Sequence, residues 1–263
     1  MKKKFLTFFI SFAFIFSVSN FAFANGEVPN TSAVEKFSSS NVDENKFECE
    51  ANCVLSIGQN CKSAYHIQRC GKRFQASPLD WMRDYSLDTA LHLFKTKFLD
   101  FFDEVQEIGV YYNYEKNIYE KHVKDTKNEI LSVHHFSAYK PLNEEHKKFR
   151  EIMLNRASKI DNILNDSDSI ALLYSHECMD SKFPEDGKLT EFLKEFSKIY
   201  ANKKIFLIVT KIDTVNDIEK KVLFEENNLK IIKFTFRDCG SNWTGDHDAW
   251  DQVMKNIKLV KNN

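Results

Sequence analysis

Ile205-Phe206-Leu207-Ile208-Val209 is an unbroken apolar run with no polar alternation. A strand of this kind has both faces buried, as in a parallel sheet covered by helices. The flanking segments extend the pattern. Strands are predicted over 169–174, 204–210 and 229–235, and helices over 143–164, 187–201, 215–227 and 246–258. This alternation predicts an α/β fold: a three-layer sandwich with a mostly parallel central sheet and helices on both faces. In an open sheet ligands bind beyond the carboxyl ends of the strands, so polar residues that follow strands are the first candidates for a site.

Toward the N-terminus the chain is less regular. Cys53 to Gly58 reads as a strand, residues 61–71 as a helix, and Ser77-Pro78-Leu79-Asp80-Trp81 as a turn. Ser86 is an N-cap candidate for a helix in which Leu87, Ala90, Phe94, Phe98 and Phe101 recur at helical spacing up to about residue 104. Val110-Tyr111-Tyr112-Asn113-Tyr114 followed by Asn117 to Val123 alternates and reverses, which predicts a β-hairpin insertion, with a further strand over 129–134.

Met1-Lys2-Lys3-Lys4, the apolar stretch behind it and Ala22-Phe23-Ala24 have the form of a secretory signal peptide, with cleavage expected after Ala24. Export to the periplasm or the medium follows. Residues 25–46 read as a flexible lead-in, and 47–263 as a single α/β domain. Loss of Lys2, Lys3 and Lys4 from a chain of 37 basic and 38 acidic residues leaves it mildly acidic. Its charges are interleaved, so nucleic-acid binding has no basic face to rest on, and no membrane association is expected after cleavage. Oligomeric state is left open.

Six cysteines stand at 49, 53, 61, 70, 178 and 239. If 61–71 is helical, Cys61 and Cys70 lie ~13 Å apart along its axis, beyond disulfide reach. Their spacing is not a usual zinc-ligand pattern, and no metal or cofactor is expected. Cys61 has a distinctive position. In Gly58-Gln59-Asn60-Cys61 it follows a strand and opens a helix, where unpaired N–H groups favour a thiolate and supply oxyanion donors. Its own N–H, that of Lys62 and the Asn60 or Gln59 amide are the candidate donors. The plainer reading is a buried cysteine that packs as a small hydrophobe.

A cysteine nucleophile needs a base. His66 lies five residues on and off the face of Cys61, so it reads as a packing or surface residue. His134 and His135, adjacent in an extended segment, should point to opposite faces, so that one of them addresses a site, and His134 is favoured. His247, between Asp246 and Asp248, is the rival. A thiol enzyme built on Asp246 and His247 is a third arrangement, although the two acids also suit a helix N-terminus.

The blocks Ser56-Ile57-Gly58-Gln59-Asn60-Cys61, Ser77-Pro78-Leu79-Asp80-Trp81, His134-His135-Phe136 and Trp243-Thr244-Gly245-Asp246, in this order, resemble a bacterial family of unknown function labelled as papain-like cysteine peptidases. The resemblance runs from about Cys53 to Trp250, with His135 where that family carries an aspartate. It implies Cys61 as nucleophile and His134 as base, with Asp80 or Asp246 orienting the imidazole. Gly58, Gln59, Asn60, Trp81 and His247 would contact substrate, while Trp243 and Trp250 read as packing residues. The function expected is an exported cysteine hydrolase acting on an amide or ester, its substrate a peptide, an ester or a glycan. The alternative is a non-catalytic exported binding protein with a structural Cys61.

Overall fold

The computed structural model describes residues 47–176, 183–215, 217–238 and 243–261. The expected signal peptide and lead-in, together with Cys178 and Cys239, lie outside these residues. In chain order the elements are β1 (Cys49–Ala51), β2 (Cys53–Ser56), α1 (Lys62–Arg69), β3 (Met82–Arg83), α2 (Leu87–Lys95), β4 (Val105–Asn113), β5 (Ile118–Asp125) and β6 (Ile130–Ser137). They continue with α3 (Leu142–Asp166), β7 (Ser169–His176), α4 (Asp186–Ile199), β8 (Lys204–Ile212), β9 (Glu219–Glu226), β10 (Leu229–Phe236), α5 (His247–Lys255) and β11 (Ile257–Leu259). No helix among the described residues is long and apolar enough to cross a membrane.

The fold is mixed α/β. A five-stranded sheet has the order β2-β7-β8-β10-β9. Its first four strands are mutually parallel, and β9 runs antiparallel along the edge. Every residue of β7 is buried, as an apolar strand between two layers requires. Its side chains alternate between two cores. Leu172, with Leu55 and Leu207, packs under α3 and α4 through Met153, Ile160, Phe192 and Phe196. Ala171 and Leu173, with Val54 and Ile208, face α1 and α5 through Ile67, Trp250, Val253 and Met254.

Three expectations are corrected. Residues 215–227 do not form a helix: 219–226 are the edge strand β9, joined to β10 by Asn227 (φ 52°) and Asn228. Its charged sequence suits a helix surface but equally suits an exposed strand edge, and asparagine tolerates the positive φ of a tight hairpin. The helix expected to reach residue 104 ends at Lys95. Lys97, Phe98 and Phe102 have φ of 53°, 60° and 50°, so the chain turns repeatedly and seats Phe101 and Phe102 against Phe149. The buried Asp125 carboxylate holds this turn by accepting from the Phe102 N–H at 2.7 Å and the Asn128 N–H at 3.1 Å. Finally, the hairpin is not a simple insertion. β4 and β5 join β6 and β3 in a separate antiparallel sheet of order β3-β6-β5-β4, so the 129–134 strand does not belong with the parallel strands.

Candidate functional site

The Cys61 loop is built by close backbone approach. Beyond β2 the chain still follows β7, with Ile57 N bonded to Leu173 O at 3.0 Å and Gln59 N to Ser175 O at 3.3 Å. A Cβ on Gly58 would stand 2.7 Å from Ser175 N and 2.8 Å from Ser63 Oγ. Gly58→Ala should therefore cost about 2 kcal/mol through overpacking against backbone, read as a lower urea midpoint with unchanged slope. An unchanged midpoint would show that the loop yields freely.

The loop delivers Cys61 to the N-cap position of α1, where it is 7% exposed. Cys61 lines an open cavity of about 1130 Å³. Asn60 lines it too, and its Oδ1 accepts from Lys62 N at 2.9 Å. That bond takes Lys62 N–H out of the set of expected oxyanion donors, and the Gln59 N–H is engaged by Ser175. It also orients Asn60 so that its buried Nδ2 is left without a hydrogen-bond partner. Cys49, Cys53, Cys61 and Cys70 all carry thiols rather than disulfides. Burial pushes Cys49 up to about 12 and raises Cys53 and Cys70.

A second part of the lining comes from the antiparallel sheet. Lys121 pairs with Phe136 and Val123 with Ser132, so His122 alone faces the three residues Val133, His134 and His135. This bulge breaks strand alternation, and a bulge of this kind re-aims side chains. Both His134 and His135 therefore line the cavity, contrary to the expectation that only one would. The two differ in their partners. His135 Nδ1 lies 2.8 Å from Ser132 Oγ, and burial pushes its pKa down to about 3. His134 Nδ1 is 3.5 Å from Glu120 Oε2, within ion-pair distance but without a hydrogen bond. Burial lowers the His134 pKa, opposed by the Glu120 carboxylate.

Glu120 is the residue that sequence reasoning missed. It stands on β5, its side chain 5% exposed, and is held by Lys116 Nζ and Asn113 Nδ2, both at 2.7 Å. Those contacts hold it ionised, below the usual carboxylate range despite burial. An acid four residues after a lysine across the hairpin turn at Glu115-Lys116 was the available signal. The expected orienting acids are engaged elsewhere. Asp80, 4% exposed, accepts from Ser77 N at 3.0 Å and pairs with Arg73 at 2.7 Å, holding the turn. Asp246 caps α5, accepting from Asp248 N and Ala249 N at 3.0 and 3.2 Å. His247 does not line the cavity; its Nε2 lies 3.3 Å from Tyr65 Oη and 3.2 Å from Thr244 Oγ1. Gly58 and Gln59 also lie outside the lining.

Trp81, at φ 67°, lines the cavity and meets Trp243 edge to face at 6.0 Å. Trp243, expected as packing, is 41% exposed and lines the same space. Trp250 is fully buried and stacks on His66 at 4.3 Å.

Residues 52–207 match the family model described as "putative papain-like cysteine peptidase" (DUF1796). The chain belongs to this family. The match contains Cys61, Asp80, Glu120 and His134 and ends within β8; Asp246, His247 and both C-terminal tryptophans lie beyond it. No curated protein and no solved structure matches the chain. Within the family region both parts of the cavity lining are present, the Cys61 loop and the histidine bulge.

Proposed function

We propose that the protein is a thiol hydrolase of an amide or ester, with Cys61 as nucleophile, His134 as base and Glu120 as the positioning carboxylate. The observation that carries this reading is the convergence of a helix-opening cysteine and a carboxylate-backed histidine on one cavity. The Glu120 carboxylate, 3.5 Å from Nδ1 but outside hydrogen-bond geometry, biases the imidazole through its charge. Attack by the sulfur on a carbonyl places the oxyanion beside the Cys61 N–H, with the Asn60 amide as second donor. The imidazolium then protonates the leaving oxygen or nitrogen, and water hydrolyses the thioester. In this reading the five-stranded sheet is the central layer of a three-layer sandwich, and residues 1–24 direct export.

Iodoacetamide near neutral pH should alkylate Cys61 at least about tenfold faster than Cys49, Cys53 or Cys70, whose thiols are raised by burial. Peptide mass spectrometry reads the order, and preferential labelling of one of those three would overturn the assignment. Glu120 is tested through pH. Its charge favours the imidazolium of His134, and an imidazolium favours the thiolate. Glu120→Gln should therefore move the onset of Cys61 alkylation to higher pH and slow it about tenfold at neutrality, while Glu120→Asp restores much of the profile. A purely structural Glu120 would leave the onset where it is.

A further inference from the structure

The lining of the cavity has a composition that neither hydrolysis nor the family match explains. Six of its side chains are Tyr65, Trp81, Tyr111, Tyr112, Tyr114 and Trp243. Among the described residues that line it, Val133 is the sole aliphatic side chain. Sites for apolar acyl chains or aliphatic peptide side chains are lined chiefly by hydrophobic residues that exclude water. Here the apolar surface is flat, and each of the six rings carries a polar edge.

The rings are also held in place. Trp243 donates its Nε1–H to Glu115 at 2.5 Å and meets Tyr65 edge to face at 5.2 Å. Tyr111 stacks on His122 at 3.9 Å, while Tyr114, 87% exposed, stands at the outer rim. Charge narrows the occupant further. Lys116 faces Glu120 at 2.7 Å, Lys62 faces Asp238 at 2.6 Å, Arg69 is bonded to Asp251, and Arg83 stands 3.9 Å from Asp84. Each lining cation is thus matched by an acid, which suits a ligand without net charge. The volume, about 1130 Å³, exceeds the ~300–1,000 Å³ of ordinary small-molecule sites.

We infer that the cleft binds a neutral saccharide of more than one ring, stacked on Trp81, Trp243 and the β4 tyrosines. A pyranose presents a C–H face to an aromatic ring and hydroxyls to the polar rim, which is the alternation this wall offers. Resting on the hydrolase reading, the scissile bond is then an ester or amide carried by a sugar. Attack forms the sulfur–carbon bond and breaks the carbon–oxygen or carbon–nitrogen bond to the saccharide. The imidazolium proton passes to that oxygen or nitrogen, and water releases the acid.

The test is tryptophan-fluorescence titration of the full Cys61→Ala chain with cellotriose and with tri-N-acetylchitotriose, alongside a proline-rich peptide. At least one saccharide should saturate with Kd of about 1 mM or tighter. Trp243→Ala and the rim variant Tyr114→Ala should each weaken binding, the former about tenfold. Tyr114 is too exposed for its loss to unfold the protein. No saturation by either saccharide, binding unaffected by both variants, or preference for the peptide would each overturn the inference. Binding in Cys61→Ala does not depend on the thiol. Saccharide binding without selective Cys61 alkylation would therefore remove the hydrolase alone, and selective alkylation without saccharide binding would remove the saccharide alone.

Discussion

Cys61→Ala is expected to abolish the acyl-enzyme burst that the wild-type chain gives with an activated ester such as p-nitrophenyl acetate, and to lower steady-state turnover by at least about 10³-fold. The burst tests covalency directly, because one equivalent of phenolate is released per reactive thiol before deacylation limits the rate. The substitution removes one sulfur from a side chain that is 7% exposed at the end of a helix, so a correctly folded variant should be recovered, as circular dichroism can show. His134→Ala should lower the burst rate constant while leaving its amplitude, since the thiol remains present but lacks its base. A burst that survives Cys61→Ala would place the nucleophile elsewhere and dismiss the mechanism.

The second large effect concerns stability in acid. His66 is fully buried on α1, stacked on Trp250, with Nε2 2.8 Å from Thr244 O and Nδ1 3.2 Å from Arg69 Nε. A carbonyl and an arginine donor together require the neutral ring with its proton on Nε2. Burial accordingly depresses its pKa to about 4, from the usual 6.5. Between these values the unfolded chain binds a proton that the folded chain does not. Stability is therefore intact above about pH 6.5 and falls as pH drops toward 4, by up to roughly 3 kcal/mol. His135, depressed to about 3, acts in the same direction over a wider window. Urea midpoints measured at pH 7 and pH 4.5 should differ markedly, and His66→Gln should flatten the dependence while lowering stability at neutrality. Equal midpoints at the two pH values would contradict this placement of His66.

The parts of this molecule legible from sequence are those where one local rule governs. Continuous apolar runs marked β7 and β8, Ser86 caps α2 by accepting from Thr89 N at 3.0 Å, and Asp246 caps α5. Cys61 at a helix start followed from a strand, a glycine and a polar turn. The errors arise where tertiary contacts decide between equally good local readings. Charged residues 219–226 carry no strong period, and pairing with β10 makes them a strand. Phe98, Phe101 and Phe102 keep helical spacing, but the chain turns there and Phe101 and Phe102 reach Phe149 from the turn instead. Within the site, alternation misjudged His134 and His135 because a bulge is a property of two strands in register, and neither strand announces it alone. Glu120 was hidden for a similar reason: His134 lies on the next strand, and the hydrogen-bonding partners of Glu120, Asn113 and Lys116, lie on β4 and in the turn after it.

The nucleophile and its base stand on different sheets. Cys61 is fixed by the parallel strands, whereas His134, Glu120 and the tyrosines of β4 all belong to the antiparallel sheet. The base, its carboxylate and the β4 tyrosines thus sit on one contiguous stretch of chain, residues 82–137, while Trp81 and Trp243 of the same cavity come from outside it. Substitutions within that stretch would re-tune the pH response of the thiol without disturbing the strand that presents it.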